Sequence, residues 1–108
     1  MGSSWEGFAI EQILSGIHRN DWEISFYRTQ TGAELDLVLE NRNHKIGVEF
    51  KANAAPNITR GFWNSCDDLQ ITKAFIVCPI EDNYPFKTGV DVCGLRQFIA
   101  ELKKISAH

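Results

Sequence analysis

Ala33-Glu34-Leu35-Asp36-Leu37-Val38-Leu39-Glu40 and Lys45-Ile46-Gly47-Val48-Glu49-Phe50-Lys51-Ala52 are joined by the polar tetrapeptide Asn41-Arg42-Asn43-His44. Both runs alternate polar and apolar residues with a period of two, the period of a strand buried on one face. Two such runs across a short polar link predict a β-hairpin. Whether the loop is Arg42-Asn43 or Asn41 to His44, a symmetric closure sets Asp36 opposite Glu49 and Glu34 opposite Lys51. One face then carries Ala33, Leu35, Leu37 and Leu39 with Ile46, Val48, Phe50 and Ala52, and belongs to the core. The other carries Glu34, Asp36, Val38 and Glu40 with Lys45, Gly47, Glu49 and Lys51.

A solvated sheet face with ion pairs accounts for Glu34 with Lys51 and for Glu40 with Lys45. It does not account for Asp36 facing Glu49, because like charges directly opposite destabilise a strand pair. Two carboxylates held together suit a hard divalent cation, since Mg²⁺ takes one or two carboxylates and fills its remaining positions with water and phosphate oxygens.

Outward from the hairpin, Ser3-Ser4-Trp5-Glu6 has the form of a capping box, and a helix is expected from Ser3 to Gly16 or Ile17. Its apolar stripe is Ala9, Ile10, Ile13, Leu14 and Ile17, with Glu6 at the centre of the stripe and Glu11 on the polar side. Glu6 is thus a third candidate oxygen ligand. Trp22 to Thr29 reads as a strand, Ile58 to Leu69 as a helix, Ala74 to Cys78 as a strand buried on both faces, and Val90 to Cys93 as a short strand. Leu95, Phe98, Ile99, Leu102 and Ile105 mark a C-terminal amphipathic helix. The expected order is αβββαββα in one domain, residues 1–108: an α/β (α+β) fold with a mixed sheet and an antiparallel hairpin flanked by helices.

The 108 residues are 44% apolar and 23% charged. That is enough for one core and too little for two domains. Eleven basic against fourteen acidic residues give a net charge of −3. Such a balance excludes polyanion binding by bulk charge and demands a local cationic patch or a divalent metal. Cys66, Cys78 and Cys93 are odd in number and widely spaced, so reduced buried thiols are expected rather than disulfides or zinc. His18, His44 and His108 are too scattered for a zinc site. No leader and no membrane span is read, and a cytoplasmic location is expected.

The helical Glu6, Asp36 near a strand end, and Glu49-Phe50-Lys51 on the next strand together resemble the active-site signature of the PD-(D/E)xK nuclease superfamily. Gly2-Ser3-Ser4-Trp5-Glu6 is similar to the first-helix motif of archaeal Holliday-junction resolvases. More closely, Trp5-Glu6, Ile10 to Leu14, Tyr27-Arg28-Thr29 and Ala33 to Asp36 resemble a bacterial domain of unknown function that usually follows a AAA-type ATPase module. The resemblance spans about Trp5 to Leu102. Leu35 stands where the superfamily usually has proline, and no phosphate-binding G-x-x-x-x-G-K-[ST] loop occurs.

The resemblance implies a restriction-endonuclease-like core in which Asp36, Glu49 and Glu6 bind Mg²⁺ or Mn²⁺, with Lys51 beside the reacting phosphate. Arg28, Lys45 and Arg60 are the cations expected to meet a phosphodiester backbone. DNA, a AAA-type ATPase module and a second copy of the chain are the expected partners. The leading expectation is a metal-dependent nuclease-like domain acting on DNA phosphodiesters. The alternative is an inactive descendant that docks to or regulates an ATPase. A third, a protein-interaction domain, gains if Trp5, Trp22 and Trp63 form an exposed patch, whereas core packing is the default expectation for all three.

Overall fold

The hairpin forms in the register its side chains dictate. The computed structural model describes residues 3–17, 22–28, 34–51 and 60–106, with 3, 4, 6, 26–28, 34–36 and 106 described by backbone alone. The elements are α1 (Ser3–Gly16), β1 (Glu23–Arg28), β2 (Glu34–Glu40), β3 (Lys45–Phe50), α2 (Arg60–Asp68), β4 (Lys73–Cys78), β5 (Asn83–Lys87), β6 (Val90–Gly94) and α3 (Leu95–Ser106). In the β2–β3 ladder Leu37 pairs with Val48, Val38 with Gly47, Leu39 with Ile46 and Glu40 with Lys45. Asn41 makes the turn, its Oδ1 accepting the N–H groups of Asn43 at 3.0 Å and His44 at 2.8 Å. A side chain that bonds the backbone two and three residues on is the usual way an asparagine fixes a turn.

The six strands form one mixed sheet in the order β1-β2-β3-β4-β6-β5. β1, β2 and β3 are an antiparallel meander, β3, β4 and β6 run parallel, and β5 lies antiparallel to β6 at the edge. α2 supplies the crossover that two parallel neighbours in this position need. Gln70, just past its end, takes a φ of 55°. The N–H groups of Ile71 and Gln70 reach the carbonyls of Cys66 and Asp67, which makes the helix end a Schellman motif.

Helices cover both faces of the sheet. On one face Ala9 and Ile13 of α1 and Phe98 and Leu102 of α3 bury Leu37, Leu39, Ile46, Val48, Phe50, Phe75 and Val77. On the other, Phe62 of α2 packs with Val38, Ala74, Ile76, Val90 and Val92. The alternation Ala74, Ile76, Cys78 against Phe75, Val77 divides β4 between the two cores, as a strand buried on both faces must. The charged hairpin face is therefore buried in part: Val38, Gly47 and Glu49 are buried, whereas Glu40 is exposed and Lys45 and Lys51 are half-buried.

The structure corrects the expected order in one place, which is αβββαβββα. β5 is the strand not foreseen, because it carries Pro85 and is exposed at every residue, so it shows neither alternation nor an apolar run. An edge strand tolerates a proline that a central strand does not. The register also shifts between Pro85 and Lys87. The tryptophans pack on the cores and form no exposed patch: Trp22 is 4% exposed, and Trp5 and Trp63 are half-buried against the two cores. The three cysteines are free thiols, two of them buried. Among the described residues no helix is long and apolar enough to cross a membrane.

Candidate functional site

The parallel strands β3, β4 and β6 end on one edge of the sheet, where ligands gather in open α/β sheets. Glu49 sits one residue before the end of β3, in register with Ile76 of β4. That register turns it toward the α2 side, and it is 7% exposed. Lys51 follows the strand. Its backbone N–H donates to the Val77 carbonyl at 2.9 Å, which carries the ladder one residue further and holds the lysine at the sheet edge. Its Nζ stands 4.0 Å from Oε2 of Glu49, and its side chain is 29% exposed. A buried carboxylate is thus joined to a cation that reaches solvent.

Two thiols border this pair. Cys66 lies on α2 one turn beyond Phe62. Burial first, then the negative charges of Glu49 and Asp67, push its thiol up to about 11. Cys78 ends β4; burial raises its thiol, while the Lys51 charge pulls the other way. Thiols held protonated at neutral pH are poor nucleophiles and poor metal ligands, which leaves the carboxylate and the ammonium as the candidate groups here. The sequence shows both cysteines only as buried thiols. Nothing in their spacing places them beside Glu49 and Lys51.

Of the three expected oxygen ligands, Glu49 is described in full, whereas the side chains of Glu6 and Asp36 lie outside the described residues. Among the described residues no three His, Cys, Asp or Glu side chains gather into a metal-binding group. The start of α1 does come to the end of β3. Trp5, beside Glu6, packs against Phe50 with ring centroids 6.2 Å apart and planes at 74°. This is the edge-to-face geometry that aromatic pairs favour.

Of the cations expected to meet a phosphate backbone, Lys45 lies far from Lys51. Lys45 starts β3, roughly 20 Å along the strand from Lys51 at about 3.3 Å per residue. It pairs with Glu40 at 4.0 Å, as the hairpin register requires. Arg60 is exposed at the first position of α2. Arg28 ends β1, and its side chain lies outside the described residues.

The sequence gives no warning of a cavity of about 460 Å³ at the same sheet edge, whose walls include Trp5, Phe8, Cys78, Ile80, Arg96 and Gln97. Its residues come from α1, the end of β4 and the first turn of α3, three segments distant in the chain. Phe8 is 54% exposed, more than any other large apolar side chain described.

Residues 1–98 match the family model described as "Domain of unknown function (DUF4143)". Uncharacterized proteins of Mycobacterium tuberculosis and Mycobacterium bovis are each 37% identical to this chain over 90 residues, which is 83% of this chain and 20% of each relative. The chain thus spans about a fifth of the length of these relatives. A family match across nearly the whole length, with this identity, shows that the chain belongs to the DUF4143 family.

Proposed function

We propose that this chain is a metal-dependent nuclease-like domain of restriction-endonuclease-like fold, acting on DNA phosphodiesters at the end of β3. The observation that carries the reading is a carboxylate, Glu49, buried at 7% exposure at a sheet edge, with Lys51 reaching from it toward solvent. Burying a carboxylate costs free energy unless a cation or hydrogen bonds offset it. Ionisable groups so placed are more often found at functional sites than elsewhere.

The four hairpin pairs keep one register. Continued by one pair beyond those, the same register would set Asp36 opposite Glu49. Those two carboxylates, with Glu6 from α1, would make an all-oxygen donor set suited to Mg²⁺ or Mn²⁺. Such a cation, when bound, polarises a phosphate and lowers the pKa of a coordinated water. Glu49 and Asp36 would hold it, and Lys51 would orient the attacking water or offset the charge that develops on the phosphoryl oxygens. Arg60 and Arg28 are the further cations assigned to the phosphodiester backbone. At a net charge of −3 the isolated domain attracts DNA weakly, so turnover is expected to be slow.

A second reading rests on the relatives being about five times as long as the matched region. The domain then serves a longer chain as an accessory module, docked to a AAA-type ATPase unit. The deciding assay is cleavage of linear, branched and single-stranded DNA at low salt with Mg²⁺ or Mn²⁺, with chelator, Glu49→Ala and Lys51→Ala as controls. Cleavage that both substitutions abolish supports the nuclease. Inactivity on all three substrates leaves the accessory module.

A further inference from the structure

The cavity beside Trp5 and Phe8 is not needed to hold a cation or to place Lys51. It lies across the sheet edge from the Glu49–Lys51 pair, and the two are physically joined. Trp5 packs on Phe50, the residue before Lys51, and Cys78 both lines the cavity and feels the Lys51 charge. Its volume, about 460 Å³, is within the range of small-ligand pockets.

The lining has a specific chemistry. Two aromatic side chains lie one helical turn apart on α1, where positions three apart share a face. Trp5 is held by Phe50, whereas Phe8 is largely open to solvent. Arg96, in the first turn of α3, contributes an exposed guanidinium. Gln97 also contributes to the lining, while its buried side-chain oxygen lies against Gly94. An aromatic face beside a cation suits a planar ring attached to a phosphate.

We propose that this cavity receives one unpaired nucleobase of the strand whose phosphodiester lies at Glu49 and Lys51. The base stacks on Phe8 and Trp5, and Arg96 meets the adjoining phosphate. A stacked base must leave its duplex, so the preferred substrate is single-stranded or branched DNA. The proposal deepens the nuclease reading and rests on it for the position of the backbone.

The test is fluorescence anisotropy of a labelled single strand of about twelve nucleotides and of its blunt duplex, at low salt with chelator present. The proteins are the parent, Phe8→Ala, Phe8→Trp and Tyr84→Ala, the last removing an exposed aromatic on β5 outside the cavity. The parent should bind the single strand at least about fivefold more tightly than the duplex. Phe8→Ala should lose roughly fivefold or more, the lower end of what one stacked base contributes, and Phe8→Trp should retain the affinity. Tyr84→Ala should stay within about twofold of the parent. Unchanged single-strand affinity in Phe8→Ala, or no preference for the single strand, overturns the base pocket even where the parent cleaves DNA. Phe8-dependent binding by a parent that cleaves nothing upholds the pocket and removes the nuclease.

Discussion

Nζ of Lys51 lies 4.0 Å from Oε2 of Glu49, two residues back on the same side of β3. The two groups differ in environment more than in position: the carboxylate is buried beneath the α2 face, and the ammonium is partly in water. A pair meant only to stabilise the sheet gains little from this arrangement, because desolvating the carboxylate works against the Coulomb attraction. A pair that must meet a phosphate needs this asymmetry, with one end fixed in the fold and the other facing the substrate.

Substituting each partner should separate binding from turnover. Saturating Mn²⁺ should raise the parent melting temperature by roughly 10 °C, the expected size for a ligand at about a hundred times its Kd on a domain of this length. Glu49→Gln should reduce that shift to under about 2 °C and abolish cleavage. Lys51→Ala should keep the shift and lose at least about a hundredfold in cleavage rate. Differential scanning fluorimetry and a gel assay provide the two readouts.

Without metal, Asp36→Asn should stabilise the domain by about 0.2 to 1 kcal/mol, since it relieves like-charge repulsion across the hairpin. Urea denaturation in chelator measures this. A loss of stability would mean that Asp36 does not stand opposite Glu49.

Gly94 closes β6 at the sheet edge, where its N–H donates to the Asp82 carbonyl. A Cβ built there would overlap the Ile80 carbonyl oxygen and the Gln97 side-chain oxygen. The first is backbone and cannot swing aside. Gly94→Ala should therefore cost about 2 to 3 kcal/mol, the upper part of the overpacking range. At Gly7, by contrast, an added Cβ would meet no atom of the described residues within 4 Å. Gly7→Ala should stabilise α1 by up to about 1 kcal/mol, the difference in helix propensity. Thermal denaturation of the two variants compares them.

The thiols predict a pH dependence. Burial and neighbouring acids push Cys66 up to about 11 and Cys93 to about 12, from an ordinary 9.0. The native state then keeps protons that the unfolded chain releases. The stability they contribute is therefore intact below pH 9 and is lost as pH rises through 11 to 12. Alkylation of Cys66 at about pH 8 should be slow, because the thiolate is scarce there. Glu49→Gln should accelerate it, because removing a negative charge beside a thiolate favours the thiolate. An unchanged rate would place Glu49 away from Cys66.

The hairpin was legible because its alternation admits one register that buries Leu37, Leu39, Ile46 and Val48 together; a slip by one residue would turn them all outward. The three helices were legible from their apolar stripes. β5 was not, since an exposed edge strand containing Pro85 buries nothing and so leaves no periodic signal. The candidate site was legible only along the strand. Glu49-Phe50-Lys51 displays its spacing, whereas the approach of Cys66 and Cys78 and the cavity beside Phe8 depend on how α1, α2 and α3 pack, and packing between distant segments has no local pattern.

The central claim is a divalent cation at the end of β3. A crystal grown with Mn²⁺ should show an anomalous difference peak within about 2.0 to 2.6 Å of carboxylate oxygens of Glu49 and Asp36, the range of hard-cation coordination. A Mn²⁺ peak elsewhere with none at Glu49, or Asp36 and Glu49 on opposite faces of the sheet, would contradict the account.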